Sequence, residues 1–284
     1  MGSFCVSIDL ELAWGVWDKL TPDRLQLASE AETAIVGRLL ALSEKHDLPV
    51  TWATVGRIFD AGAEASLPAG PRGAWYAPQL VDAIRRSKVP HDLGSHSYAH
   101  VYYDRISRDE AAEDLGRDVA VRKAWGLPLR TWVYPRNGIG HVDLLAAAGV
   151  EVYRTHDAGL LQRIRDAAPR WYGAGNLLDK ALPVVPPLVH ATDVGGIVAL
   201  PSSTLLIGRN GPRRIVRPAV TRFRWKRALD AAAGSDGCFH AWFHPSNFYH
   251  RAESQYAVVD AAFAHASKLR DAGRLQIRTM ADFA

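Results

Sequence analysis

Three short stretches of the chain place carboxylate or imidazole side chains at the ends of apolar segments. The first is the segment 7–11 (Ser-Ile-Asp-Leu-Glu), in which Asp9 and Glu11 follow a run of apolar residues. Residues i and i+2 of a strand point to the same face, so we expect both carboxylates on one side of a sheet. Burying two carboxylates is costly unless they are paired or bind a metal. The alternative is a carboxylate pair at a strand end that simply meets solvent.

The second stretch contains two histidines, His96 and His100, spaced so that one helical turn would bring both imidazoles to one side. Two neutral imidazoles and one carboxylate form a three-ligand set for a catalytic divalent metal, which leaves positions for water and substrate. The histidine spacing alone is only moderately specific, because the chain contains 11 histidines.

The third stretch is the segment 240–245 (His-Ala-Trp-Phe-His-Pro). On a strand, His240, Trp242 and His244 share one face, and Pro245 would end the strand directly after His244. We therefore expect the His244 imidazole at the end of the strand. The alternative, most plausible for His240, is a strand of core aromatic residues that also contains histidines.

Strand-forming runs alternate with helical stretches along the chain, which predicts a parallel sheet with crossover helices. Together, the number of strands and the chain length favour a closed or nearly closed (β/α) barrel. Because no linker divides the chain, we expect one domain over residues 1–284. A capping box predicts a helix start at Ser107, and another helix is expected over about Asp23–His46. The strand candidates are Phe4–Leu10, Val50–Val55, Asp92–His96, Thr131–Tyr134, Val152–Thr155, Ile197–Pro201, Phe239–Phe243 and Leu275–Arg278.

The basic residues are concentrated in one segment. Between Arg209 and Arg227 the chain has eight Lys or Arg residues and no acid; without them, 34 basic residues become 26 against 30 acids. The segment is interpreted as a solvated helix face, and specific nucleic-acid binding is not expected. A membrane span needs about 20 consecutive apolar residues, and none is expected here. With no signal-peptide pattern, we expect a cytoplasmic protein.

Taken in order, the motifs resemble one known family, the polysaccharide deacetylases (the NodB-homology family, carbohydrate esterase family 4). The resemblance is carried by Asp9-x-Glu11, by His96-Ser97-x-x-His100, by the segment 132–137 (Trp-Val-Tyr-Pro-Arg-Asn) and by the segment 242–244 (Trp-Phe-His). The segment 52–56 also resembles the family's second strand. The resemblance implies a distorted (β/α)7 barrel that binds a divalent metal and removes N-acetyl groups from amino sugars.

The resemblance also implies roles for individual residues. Asp9 resembles the catalytic base, His244 resembles the general acid, and Glu11, His96 and His100 resemble the ligands of one metal ion. We expect zinc, with cobalt, nickel or manganese as alternatives.

The segment 132–137 departs from the family pattern. Pro135-Arg136 resembles the motif whose backbone N–H stabilises the oxyanion, and Arg136 stands where the family usually has tyrosine. The usual arginine position is Val133, so another group must orient Asp9, and the Arg136 side chain is the candidate. The aspartate that supports the general acid is one of Asp157, Asp179 and Asp193. The residues assigned to substrate binding are Tyr134, Pro135, Asn137 and Trp242.

These observations favour a metal-dependent hydrolase of C–N bonds, an N-deacetylase that acts on a small or activated amino sugar. The substrate would be a small molecule or an oligosaccharide, including an anionic one. A second hypothesis keeps the fold and the metal but assigns a non-sugar amide, imide or cyclic C–N bond. A non-enzymatic nucleic-acid binder is the least favoured, and the oligomeric state is left open.

Overall fold

Parallel strands form the centre of the molecule in the computed structural model, which describes residues 1–19, 21–158 and 169–284. The strands are β1 (Ser3–Leu10), β2 (Thr51–Thr54), β3 (Thr131–Val133), β4 (Val152–Asp157), β5 (Thr192–Asp193), β6 (Val198–Ser202), β7 (Thr204–Leu205), β8 (Cys238–Phe243) and β9 (Gln276–Arg278). The short, exposed β5 pairs antiparallel with β6, and the other pairings between these strands are parallel.

The strands follow one another around a barrel. One group has β1 between β2 and β8, and a second group has the order β3-β4-β6-β5. The segment 92–96 joins β2 to β3: Trp52 N–H donates to the Asp92 carbonyl at 2.7 Å, and Val133 N–H donates to the Ser95 carbonyl at 2.8 Å. On the other side the chain passes from β6, which pairs with β4, into β7, which pairs with β8.

The ring therefore has the order β1, β2, 92–96, β3, β4, β6–β7 and β8, which is the predicted distorted (β/α)7 barrel. The barrel is distorted in two places. Between β2 and β3 only isolated bridges to the segment 92–96 connect the strands, and between β4 and β8 the chain bends from β6 into β7.

Helices surround the barrel. The predicted capping box is present: Ser107 N–H donates to Glu110 Oε2 at 2.8 Å, and Glu110 N–H donates to Ser107 Oγ at 3.3 Å. The helix expected over Asp23–His46 is divided at Ala31. The α-helices are α1 (Pro22–Glu30), α2 (Glu32–His46), α3 (Pro78–Arg85), α4 (Arg108–Ala124), α5 (Val142–Ala147), α6 (Pro169–Ala181), α7 (Pro218–Ala233) and α8 (Ala252–Asp271). Short 3-10 helices include Leu12–Lys19, Pro135–Asn137, Gly211–Ile215 and Pro245–Phe248.

The alternation of side chains along β1 separates packing from chemistry. All 8 residues of β1 are buried, because one face packs under the helices and the other lines the barrel interior. Phe4 and Ile8 belong to the main hydrophobic cluster with the helices, whereas Cys5 packs with small apolar residues of the facing strands. By the same alternation Asp9 points into the barrel. The carboxyl ends of the parallel strands thus carry the polar groups.

Within the described ranges, no helix combines the length and the apolar character that crossing a bilayer requires.

Candidate active site

Glu11, His96 and His100 form a compact cluster of potential metal ligands at one end of the barrel. One donor atom from each residue lies within 4.8 Å of those of the other two. Glu11 Oε2 is 3.1 Å from His100 Nε2 and 3.4 Å from His96 Nε2. All three side chains are buried. The structure therefore brings together the three residues that the sequence predicted as ligands.

The His96 ring has one nitrogen fixed by the backbone. His96 Nδ1 lies 2.8 Å from the Val133 carbonyl oxygen, which can only accept a hydrogen bond, so Nδ1 carries the proton. Nε2 is then free to offer its lone pair to a metal ion at the cluster. A ring held through its other nitrogen is the usual arrangement of a metal-binding histidine.

The loop that carries His100 is held by a carboxylate that sequence reasoning missed. Asp114 of α4 accepts hydrogen bonds from the backbone N–H groups of Tyr98 at 3.0 Å and Ala99 at 2.9 Å, and from the Tyr103 hydroxyl at 3.1 Å. Burial raises the pKa of Asp114 to about 6, although these hydrogen bonds lower it. The available signal was an acidic residue on the barrel-facing side of α4.

Close packing also fixes Glu11. A β-carbon at Gly15 would lie 2.0 Å from Glu11 Oε1, so the 3-10 helix Leu12–Lys19 can fold over the carboxylate only with glycine there. Burial alone would raise the pKa of Glu11. The charge of His244 and the close contacts with the His100 and His96 rings outweigh that effect and hold the pKa well below its ordinary value.

Asp9 is oriented by Arg154, which the sequence analysis did not identify. Arg154 Nη1 donates to Asp9 Oδ1 at 2.7 Å, and Nη2 donates to Oδ2 at 2.6 Å. Burial raises the pKa of Asp9, but the Arg154 charge helps to bring it below the ordinary value. Arg136 was the candidate for this role, and that assignment is corrected: its guanidinium lies over the Tyr102 ring, 4.9 Å from the centroid.

The position of Arg154 explains how the site retains an arginine. In the register of β3 and β4, Val133 pairs with Arg154, so the two lie at the same height in the barrel. Arg154 thus lies on β4, one strand beyond Val133 on β3, where the resemblance predicted an arginine. From β4 its guanidinium still reaches Asp9. Its guanidinium also packs over Trp242, 4.3 Å from the ring centroid.

Ser7 and His240 form a second group of polar side chains beside the Asp9–Arg154 ion pair. Arg154 Nη1 also donates to Ser7 Oγ at 3.0 Å, and Ser7 Oγ lies 2.9 Å from His240 Nε2. His240 Nδ1 lies 2.9 Å from the Pro201 carbonyl, so Nδ1 carries the proton and Nε2 accepts from Ser7. Burial lowers the pKa of His240 to about 3, so the ring is neutral.

His244 faces both carboxylates. Its Nε2 lies 3.7 Å from Asp9 Oδ2 and 3.7 Å from Glu11 Oε1. On the other side of the ring, Nδ1 lies 3.4 Å from Asn247 Oδ1, which also accepts from the His244 backbone N–H at 2.9 Å. This local turn, closed by Pro245 and Asn247, aims the imidazole at the metal-ligand cluster.

The three candidate aspartates for supporting His244 have other partners. Asp157 accepts from Trp242 Nε1 at 2.7 Å, and the Trp242 ring in turn contacts the His244 ring. Asp179 pairs with Arg224 at 3.1 Å, and Asp193 accepts from the Gly196 N–H at 3.3 Å. Among the described residues, the polar side chain that holds His244 Nδ1 is therefore the amide of Asn247.

A cavity of about 660 Å³ opens over these groups. Tyr134 and Pro135 do not line it: Tyr134 is buried in an aromatic cluster, and its hydroxyl donates to the Gly140 carbonyl at 2.9 Å. Both residues therefore support the cavity from beneath. The predicted residues that do line it are Asp9, Glu11, His100, Arg136, Asn137, Trp242 and His244.

The donor set fits a divalent metal. Glu11 is ionised, and burial lowers the pKa of His100, which favours a neutral imidazole with a free lone pair. Two imidazole nitrogens and one carboxylate oxygen suit zinc, and also cobalt, nickel or manganese.

Comparisons with known proteins show that the chain is similar to polysaccharide deacetylases. The model of the polysaccharide deacetylase family matches residues 20–152, which include His96, His100 and the segment 132–137. No curated protein sequence matches the chain significantly. The resemblance predicted from the sequence, to a divergent branch of this family, is confirmed.

Solved structures share the fold at low sequence identity. A Mycobacterium smegmatis protein assigned as a polysaccharide deacetylase has 16% identity and a TM-score of 0.66, covering 99% of this chain and 88% of that one. A Pseudomonas aeruginosa PAO1 protein with the same assignment has 13% identity and a TM-score of 0.62, covering 99% and 90%. The allantoinase PuuE has 13% identity and a TM-score of 0.62, covering 99% and 89%.

Replacing the predicted ligands should remove bound metal. We expect about one zinc ion per chain in the reconstituted wild type, and much less in Glu11→Gln and in the His96→Ala/His100→Ala double variant, because each loses ligands. Elemental analysis after dialysis measures this. Asp9→Asn is the matched control, since it removes a neighbouring carboxylate and should keep the metal. Equal metal in wild type and the double variant would disprove the ligand assignment.

Replacing Arg154 should raise the pKa of Asp9. Arg154→Met leaves a buried carboxylate without its cation, so the acidic limb of the pH–rate profile should move to higher pH; the broken pair should cost about 3–5 kcal/mol of stability. Arg154→Lys keeps the positive charge, so the acidic limb of the pH–rate profile should move less toward higher pH. A ¹³C NMR titration of the aspartate carboxyls gives a readout independent of activity.

Arg122 offers a matched control for Arg154. It is equally buried and pairs with Asp118 at 2.7 Å, away from the cavity. Arg122→Met should therefore destabilise the protein without moving the acidic limb. An acidic limb that stays in place in a folded Arg154 variant would show that Arg154 does not orient Asp9.

Proposed function

We propose that the protein is a metal-dependent hydrolase that removes the acetyl group from the nitrogen of an amino sugar. The observation that carries this proposal is the convergence of three groups on one cavity: the Glu11–His96–His100 cluster, the ionised Asp9 and the imidazole of His244. A base, an acid and a metal-ligand set are the parts that hydrolysis of an unreactive amide requires. The family match supports deacetylation as the reaction class.

Asp9 acts as the base. Arg154 occupies one lone-pair site on each of its oxygens, and a carboxylate has about four such sites, so each oxygen can still accept a proton from water. The same ion pair makes Asp9 a weak base, so the attacking water must itself be acidified. A divalent metal bound by Glu11, His96 and His100 would lower the pKa of water toward about 7 and polarise the amide carbonyl.

His244 acts as the general acid. An amine is a poor leaving group unless its nitrogen is protonated as the C–N bond breaks. The His244 Nε2 position, 3.7 Å from each carboxylate, places a transferable proton beside the group that reacts. Asn247 holds the opposite side of the ring, so the proton-bearing nitrogen cannot turn away.

The Arg136 backbone N–H stabilises the developing oxyanion. Arg136 and Asn137 both adopt positive φ, 51° and 55°, at the edge of the cavity. Such left-handed backbone is costly for residues other than glycine and often marks functional sites. A well-aimed oxyanion donor contributes roughly 3–4 kcal/mol.

The substrate is a small or activated amino sugar that carries a negative charge. Four arginines line the cavity, Arg24, Arg136, Arg154 and Arg213, and they come from separate parts of the chain. Cations around a concave mouth attract anionic ligands.

A non-sugar amide, imide or cyclic C–N bond is the competing substrate class, since the same groups could hydrolyse it. Acetylated amino sugars assayed alongside cyclic amides and imides, with metal-reconstituted enzyme, would decide between the two classes.

Removing His244 should affect amides more than esters. His244→Ala is expected to lower the turnover of an N-acetyl substrate about 10²–10⁴-fold, the usual loss for an acid–base group. A matched O-acetyl ester has a better leaving group and should lose much less. An equal loss on amide and ester would mean that His244 only binds or positions the substrate.

Removing Arg213 should weaken the binding of anionic substrates selectively. Arg213→Ala is expected to raise KM for a phosphorylated N-acetyl amino sugar by about 2–5-fold, the range for an exposed charge pair, and to leave KM for the neutral sugar unchanged. Arg214→Ala is the matched control, because Arg214 lies in the same 3-10 helix, Gly211–Ile215, and does not line the cavity. The same change in KM in both variants would rule out a specific contact.

A further inference from the structure

A second, much smaller cavity lies beside the first turns of α7, and three of the side chains that line it are cations. Its volume of about 10 Å³ gives room for about one water-sized particle. We call it the α7 cavity. The polar side chains that line it are Lys180, Thr204, Arg209, Thr221, Arg224 and Gln255. No acidic residue of the described ranges lines it.

The three cations of the α7 cavity are buried and share one carboxylate. Lys180, Arg209 and Arg224 are 6%, 7% and 3% exposed. Asp179 Oδ2 accepts from Lys180 Nζ at 2.9 Å and from Arg224 Nη2 at 3.1 Å. Buried charges are normally paired, because leaving water without a partner is costly. One negative charge therefore serves two of the cations, and the group keeps an excess of positive charge.

Arg209 is the cation that this carboxylate does not serve. Its Nη1 donates to Ser254 Oγ at 2.8 Å, which is a neutral partner. Its Nε is buried and has no hydrogen-bond partner within the described part of the chain. Burial lowers the pKa of Arg209, and the charge of Arg251 lowers it further, so the surroundings of the guanidinium are electropositive. The side chain thus combines an uncompensated charge with an unused N–H donor.

The volume of the cavity limits what can bind there. A sugar, a nucleotide or a sugar phosphate is far larger than about 10 Å³. A water molecule would accept a hydrogen bond from the guanidinium but would leave the excess charge uncompensated. A halide ion is only slightly larger than water, and hydrogen bonds from a guanidinium to an anion are stronger than those to a neutral acceptor. The cavity therefore suits a monatomic anion.

The α7 cavity and the substrate cavity lie on opposite sides of one segment. Arg209 lines the α7 cavity, whereas its neighbours Gly208 and Asn210 line the substrate cavity. The preceding residue, Ile207, also lines the α7 cavity, and its carbonyl accepts from Gln255 Nε2 at 2.9 Å. An ion bound at Arg209 would therefore hold the wall of the substrate cavity from behind.

We propose that the α7 cavity binds chloride, which compensates the charge of Arg209 and stabilises the segment 207–210. The ion is bound by the folded chain and takes no part in the hydrolysis. The inference is independent of the proposed function, because its evidence lies outside the catalytic groups and its tests do not measure activity.

Chloride should raise the temperature of unfolding at constant ionic strength. An ion that binds only the folded chain stabilises it, and the effect saturates as the site fills. When sodium chloride replaces sodium gluconate, whose anion is too large for the cavity, we expect the midpoint of thermal unfolding to rise by about 2–4 °C. Circular dichroism measures the midpoint, and sodium bromide should act as chloride does. A midpoint that is the same in all three salts would overturn the site.

Replacing Arg209 should remove the response to chloride. Arg209→Met keeps most of the side-chain length but lacks the charge and the Nε donor, so its unfolding midpoint should be the same in chloride and in gluconate. Arg122→Met is the matched control, because Arg122 is also buried and pairs with Asp118, away from the α7 cavity. That variant should unfold at a lower temperature and still respond to chloride. A full response in Arg209→Met would place the ion elsewhere and overturn the proposal.

A diffraction experiment on the wild type gives a test that needs no variant, and it decides the question even if Arg209→Met does not fold. Bromide has an anomalous signal, so crystals grown in sodium bromide locate the ion directly. We expect an anomalous peak in the α7 cavity, within hydrogen-bond distance of Arg209. Peaks only in the substrate cavity, at the metal-ligand cluster or on the surface would contradict the assignment.

Discussion

The buried ion pair between Asp9 and Arg154 is the constraint on which the upper half of the barrel depends. Removing two charges from water costs several kcal/mol per ion, and good geometry with additional hydrogen bonds must offset that cost. Here both oxygens of the carboxylate are engaged, and the guanidinium also donates to Ser7 and packs over Trp242. The interior at this level is therefore polar, and apolar packing inside the barrel lies lower, around Cys5 and Val152.

The ion pair also determines which carboxylate joins the two histidines. Asp9 is held by Arg154, so Glu11 supplies the carboxylate of the cluster with His96 and His100. Glu11 lies beyond the end of β1, where the chain turns at once: Leu12 has a φ of 49°. Positive φ recurs beside the other ligands, at Ser97 (61°) and at His100 itself (55°). Such backbone persists only where its surroundings hold it, and the hydrogen bonds to Asp114 do so here.

The sequence predicted the parts of the site that depend on local spacing. Strand ends, the His96–His100 pair and the capping box at Ser107 all follow from patterns within a few residues. Tyr134 was assigned to the cavity because it belongs to a motif, but on a strand it alternates with Val133 and so faces the helices. Asp114 and Arg154 were missed because their partners lie 15 and 145 residues away in the sequence, beyond the spacing of a local motif.

The location of the arginine shows what the Asp9 carboxylate requires physically. In a parallel barrel, residues paired in register lie at one height, so two neighbouring strands can deliver the same long side chain to one point of the interior. Val133 and Arg154 are such a pair. A short side chain on β3 leaves room that the guanidinium from β4 occupies, and the charge that Asp9 requires is supplied. The requirement is thus for a cation at a given height and distance from the carboxylate. A motif defined by sequence spacing detects that requirement only when the arginine remains on its usual strand.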